Sequence, residues 1–241
     1  MMKKYIQIIC FLALIPCVSM LNSCNSNCIE GSGTPITEDR NIGTFSKVEF
    51  GGSIKLKIKQ DSINWMKITA DDNILKQIKT RVSGDVLKIE MDGNFCNSGE
   101  VVVELSSKVW SGIKASGATQ IISENQINSD EFELDLSGSS QVDLNLVVAK
   151  FKMETSGSSS INLKGQARQS DVNVSGASEI NAFDFVVSDY NIETSGSSKC
   201  AINVLNSLNV NSSGSSEILY KGLPKNINNK KSGSSELKHV D

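Results

Sequence analysis

One octapeptide recurs with small variation: SGSSQVDL from residue 137, SGSSSINL from 156, SGASEINA from 175, SGSSKCAI from 195, SGSSEILY from 213 and SGSSELKH from 232. A single Ser-Gly run reads as flexible linker. A run that returns at almost fixed intervals, each time followed by an apolar residue, does not. Aligned on glycine, the units fall at Gly117, Gly138, Gly157, Gly176, Gly196, Gly214 and Gly233, separated by 21, 19, 19, 20, 18 and 19 residues. A period near 20 marks a solenoid, whose units cannot bury an apolar face alone and therefore stack.

The columns of this alignment carry the local structure. Four residues after each glycine stand Ile121, Val142, Ile161, Ile180, Cys200, Ile218 and Leu237, all apolar. Four before stand Ile113, Leu134, Met153, Val172, Ile192 and Val210, with Asn229 the exception. Three before, every residue is polar, from Lys114 to Lys230. Apolar and polar positions alternate with the period of a strand, not of a helix. Each unit reads as strand, Ser-Gly corner, strand and polar turn, giving an all-β fold: a β-solenoid of about 20 residues per coil. A meander of antiparallel hairpins is disfavoured, because the directional string would then return only on alternate passes. Seven coils at roughly 4.8 Å each make a rod on the order of 30 Å long. Glycine supplies the corner's positive φ or its close backbone approach, and small serines let corners stack. A serine ladder that binds a ligand is the functional alternative. The last copy, NNKKSGSSELKHVD, puts Asn229 and Lys231 at inward positions and reads as a polar cap.

The chain opens with MMKK, then an apolar stretch, then LNSC ending at Cys24. This pattern is an export signal over residues 1–23 and resembles a bacterial lipobox, with Cys24 as the lipidated first residue of the mature chain. A lipid on Cys24 would attach the protein to a membrane, and Asn25 in place of aspartate favours the outer membrane. Which face of that membrane the protein occupies stays open. Loss of Lys3 and Lys4 with the signal takes the formal charge from −3 to −5, and basic residues form no patch suited to nucleic acid. Of the remaining thiols, Cys28 and Cys96 can pair in an oxidising envelope, while Cys200 sits at a core position.

Residues 24–35 read as a polar tether and 36–241 as one domain, with irregular first coils over 36–110 and seven regular coils over 111–241. Alternation persists in KVEFGGSIKLKIKQ, WMKITA, VLKIEM and VVVELS. DDNILKQ allows one helical turn, and TRVSGDVLKIEM reads as strand, turn, strand. The segments TEDRNIGTFSKVEF, ADDNILKQIKTRV and LKIEM, with the serial Ser-Gly units, resemble the putative auto-transporter adhesin, head GIN domain family. That resemblance implies an exported, lipid-anchored right-handed single-stranded parallel β-helix, and it brings no catalytic or binding residues with it.

Catalytic chemistry is sparse. His239, the single histidine, is the third residue from the end of the sequence, a poor place for a triad. Asp71 and Asp72 are neighbours, which on a strand point apart. Asp135, Glu154 and Glu193 share one outward column with Asn173 and could bind cations weakly; a solvated face is the simpler reading. Calcium-binding β-rolls require Asp two residues after glycine, and here that place holds Thr or Ser in all seven copies. Trp65 and Trp110 lie outside the regular repeats, and the turn KGQARQ offers only Lys164 and Arg168 toward polysaccharide cleavage. The sequence therefore points to a non-enzymatic envelope protein, an adhesin or binding scaffold without cofactor or metal. It would present flat faces to a glycan, an envelope protein or itself. A glycan-acting enzyme and a periplasmic structural factor are the alternatives.

Overall fold

The computed structural model describes residues 28–241; the export signal and Cys24 lie outside the described residues. A short β1 (Ile29–Glu30) leads to β2 (Pro35–Arg40), and β3 (Lys47–Gly52) and β4 (Ile54–Gln60) form the first coil of the chain. The chain then turns back through β5 (Trp65–Asp71), one helical turn α1 (Asp72–Leu75), the antiparallel hairpin β6 (Ile78–Ser83) and β7 (Val86–Met91), β8 (Phe95–Asn97) and β9 (Val101–Ser107). Beyond these, β10 (Gly112–Ser123), β11 (Ile127–Gly157), β12 (Ser160–Gly176), β13 (Glu179–Gly196), β14 (Lys199–Gly214), β15 (Glu217–Lys221), β16 (Asn226–Lys231) and β17 (Glu236–His239) pair in parallel, each on the coil before it. The expected β-solenoid is present, and its seven Ser-Gly corners enclose about six turns.

Stacking order and sequence order part at the N-terminal end. β10 pairs with β3 and β4, setting Gly117 opposite Gly52 and Ile121 opposite Leu56. On their other side β3 and β4 pair in parallel with β7 and β9. The coil that comes first in sequence is therefore second in the stack, and the chain passes beneath it before climbing past it. β5 and then β2 extend the end of the sheet in antiparallel sense, so the repeat does not begin with a simple succession of coils. The outermost strand, PITEDR, is short, charged and begins with proline, features that discourage edge-to-edge pairing.

The corner is made of backbone. All seven corner glycines have positive φ, from 75° at Gly233 to 119° at Gly157. The stronger constraint is space. A Cβ on Gly138 would lie 2.6 Å from the Gly117 carbonyl oxygen, and the same clash with the glycine beneath recurs at every corner. That oxygen is in use: Ser158 N–H donates to Gly138, Ala177 to Gly157, Ser197 to Gly176 and Ser215 to Gly196, at 2.8–2.9 Å. The hydroxyl two residues after each glycine turns inward, and Thr119, Ser140, Ser159, Ser178, Ser198, Ser216 and Ser235 are all buried. Thr119 donates to Ser140 Oγ at 2.9 Å, while Ser159 and Ser178 accept from the backbone N–H of the coil beneath. Gly52, with φ 96°, heads the same column beneath Gly117.

Ile121, Val142, Ile161, Ile180, Cys200 and Ile218 form one wall of the core, and Leu237 is partly buried where the stack ends. Phe132, Phe151, Phe185 and Tyr190 fill its centre, with Phe151 and Phe185 edge to face at 5.4 Å. Trp110 closes the junction between irregular and regular coils: it is buried, packs at 5.6 Å on Phe45 and donates its ring N–H to the Lys59 carbonyl. Burial pushes the Cys200 thiol up to about 12, so it behaves as a small hydrophobe. At the C-terminal end every residue of β16 is exposed, including Asn229 and Lys231.

The stretch expected to be a tether is fastened from residue 28 on. Cys28 and Cys96 are joined by a disulfide, Ile29 pairs with Phe95, Gly33 N–H donates to Asp71, and Asn73 bridges to Ser32 and the Glu30 carbonyl. Asp71 thus ends β5 while Asp72 opens α1, so the two adjacent carboxylates hold a loop between them.

Two glycine substitutions separate corner crowding from backbone strain. Gly138→Ala is expected to cost about 3 kcal/mol or more, because positive φ and a blocked Cβ act together. Gly33→Ala, at φ 73° with nothing within 4 Å of the added carbon, is expected to cost only about 1 kcal/mol. Denaturant unfolding of the two variants measures the difference; equal costs would contradict the crowding argument.

Candidate binding face

Period-two alternation sends the residues three and five before each corner glycine out to solvent on one flat face. The first half of this face is an ion-pair lattice. Glu133 lies 3.3 Å from Lys47 and 3.4 Å from Lys152, and Lys152 also reaches Glu154 at 3.1 Å. Lys114 pairs with Asp135 and Lys88 with Glu49, each at 3.3 Å. Lysines thus engage Asp135 and Glu154 in the outward acidic column. Among the described residues no group of three or more His, Cys, Asp or Glu is placed to hold a metal ion.

The second half of the face is richer in amides and ordered differently. Asn191 donates its amide N–H to Asp171 at 2.7 Å, and Asn209 donates to Asn191 at 2.9 Å. A matching ladder stands on the face beyond the corner, where Asn162 donates to Asp143 at 2.9 Å and Asn181 to Asn162 at 3.3 Å. Each ladder is headed by an aspartate, which can only accept, so the amides orient one way along the stack. Within the ladder an amide keeps one N–H and one carbonyl lone pair for solvent, repeated at the coil spacing. A shallow trough of about 460 Å³ runs over Glu154, Asn173, Glu193, Asn191, Asn209 and Asn211. Asp189, earlier on β13, accepts from Ser207 and Asn206 at 2.7 Å each, and these bonds hold its carboxyl below the usual range.

The other residues singled out by sequence are scattered. His239 Nε2 lies 2.9 Å from the Gly222 carbonyl on the exposed last strand, beside the Tyr220 ring. Trp110 is core, Lys164 and Arg168 are exposed on β12, and Trp65 begins β5 at the far end. No catalytic triad or carboxylate pair is brought together from these groups. The asparagine ladders escaped sequence reading, although their signal is there: Asp171, Asn191, Asn209 and Asn228 occupy one column of the alignment, and Asp143, Asn162 and Asn181 another.

Glu133 reports on the charged half. Partial burial opposes its ionisation, but hydrogen bonds and charge from Lys47 and Lys152 outweigh this and lower its pKa. The folded state then binds protons less readily than the unfolded chain, whose glutamates titrate near ~4.3. Stability from this carboxylate is present above that range and fades as pH falls through the lower folded value. E133Q is expected to melt below the parent at neutral pH by at most about 1 kcal/mol, since the pairs are half-exposed. The gap should close toward acid; a gap unchanged with pH would show that the pairs do not contribute.

No curated protein matches the chain. Solved structures do. A "putative adhesin" from Bacteroides fragilis NCTC 9343 superposes with TM-score 0.81 at 21% identity, over 88% of this chain and 100% of that one. A "putative lipid binding protein" from Parabacteroides distasonis ATCC 8503 gives 0.74 at 21%, over 88% and 99%. A "putative adhesin" from Parabacteroides merdae ATCC 43184 gives 0.67 at 24%, over 90% and 100%. At these identities the likeness is one of fold. The family model described as "Putative auto-transporter adhesin, head GIN domain" matches residues 44–224, most of the chain, and the protein belongs to that family.

Proposed function

We propose that the protein is a non-enzymatic, lipid-anchored adhesin-like scaffold of the outer membrane that binds an envelope or surface partner through its flat amide faces. The observation that carries this reading is the pair of aspartate-headed asparagine ladders. Their side chains are locked by hydrogen bonds at 2.7–3.3 Å and present free donors and acceptors at a fixed repeat. Such a surface meets a partner with its conformational entropy already spent, which favours binding over turnover. The fold supports the same reading: the outward groups are planar amides and paired ions on a rigid parallel stack.

The anchor follows from LNSC, with Cys24 taking the lipid. The chain is stapled to one end of the solenoid by Cys28–Cys96, four residues beyond that cysteine. The stack would then project from its attachment, with the amide half toward the far end.

Protease shaving of intact cells, followed by antibody beside a lysed control, tests the display. Digestion in intact cells is the expected result. Protection until lysis would overturn the adhesin reading in favour of a periplasmic structural role.

A further inference from the structure

The regular stack is interrupted at one corner. Beneath each of the seven later glycines lies the backbone of the glycine before it. Gly52 differs: no backbone from elsewhere in the chain lies within 4 Å of its Cβ direction, and the nearest atom is Met91 Sδ at 3.3 Å. The coil below supplies Met91 opposite Gly52 by extension of the β3–β7 register, and Val101 opposite Ile54. The nine residues between leave the stack. Asp92 N–H goes to the Gln77 carbonyl, and the loop swings out to Cys96 and its disulfide. At the other corners the N–H after the glycine donates to the glycine carbonyl beneath, as Ser158 does to Gly138. The equivalent residue, Ser53, makes no such bond, and it lines a groove of about 670 Å³.

The groove walls define what could fill it. Lys88 is paired with Glu49, Lys114 with Asp135, and Glu90 with Arg81 at 3.0 Å, so the charges around it are balanced. Two carboxylates on the lining, Glu49 and Glu90, disfavour an anion, while the neighbouring ammonium groups disfavour a cation. Phe95 and Met91 give an apolar wall, and Ser116, Asn97 and the Ser53 backbone give hydrogen-bonding groups. The volume falls within the range of small-ligand sites.

We infer that this unstacked corner is a binding site for a short neutral saccharide. A sugar hydroxyl takes the place of the missing corner carbonyl at the Ser53 amide, other hydroxyls meet Glu49 and Glu90, and a C–H face lies on Phe95. The disulfide Cys28–Cys96 holds the wall that carries Phe95. The site is separate from the amide ladders, and its occupancy does not depend on where the protein is displayed.

Hydrogen–deuterium exchange of the full-length protein in detergent tests this, with and without cellotriose, maltotriose, mannotriose and tri-N-acetylchitotriose at ~10 mM, well above a millimolar Kd. Expected is slowed exchange confined to residues 50–56 and 89–100 with at least one probe. Phe95→Ala, which leaves the backbone in place, should weaken that protection at least about five-fold. Ser53→Pro, which removes the N–H, should abolish it while the exchange of β11–β13 stays as in the parent. No protection with any of the four, protection that survives both substitutions, or protection confined to β13 and β14 would overturn the assignment. The last outcome would instead place sugar binding on the amide face.

Discussion

A carbonyl oxygen stands where a side chain would begin. At every regular corner the oxygen of one glycine fills the Cβ position of the next and accepts the N–H that follows it, so crowding and hydrogen bonding are two views of one contact. Because the contact is backbone to backbone, it fixes register between coils to a single residue. A slip of one would flip Ile161 and its column to solvent and bring Asn162 inside. Core packing, the inward hydroxyl row and the outward ladders all inherit that register.

The outward chemistry is a consequence of the same periodicity. Once coils are locked in register, any residue type repeated in a column becomes a ladder. The chain uses alternating charge where Lys47, Glu133 and Lys152 meet, and amides where Asp171, Asn191 and Asn209 meet. Charged ladders must alternate in sign, since like charges on neighbouring strands repel. Amides carry both donor and acceptor and can repeat without limit, as they do in cross-β stacks. The amide columns are therefore able to repeat one group from coil to coil, which the charged columns cannot.

Much of this was legible in the sequence because the period is short and the glycine is obligatory. The seven corners, the inward column from Ile121 to Leu237 and the hydroxyl row follow from spacing and alternation alone. What escaped had a physical reason. Gly52 is a corner too, but it is preceded by glycine, lies 65 residues before Gly117 and so falls outside the period. The inverted stacking order of the first two coils depends on long-range pairing that no local pattern encodes. Gly165 and Gly222 make a second kind of crowded turn over the Leu146 and Val204 carbonyls, present in only some coils. The Cys28–Cys96 bond required two cysteines 68 residues apart to bring their Cα atoms to 5.4 Å, which sequence allows and does not compel. The candidate groove is harder still to read, since it is defined by a corner that the chain does not make.

Distance measurement between spin labels on exposed corner serines tests the stacked-corner account most directly. With labels at Ser139 and Ser234, five coils apart, stacking requires a narrow distribution centred near ~24 Å, plus the reach of the labels. If the Ser-Gly runs were linkers, a separation of 95 residues would give a broad distribution around ~55 Å. The narrow short distance is the expected result, and the broad long one would contradict the account.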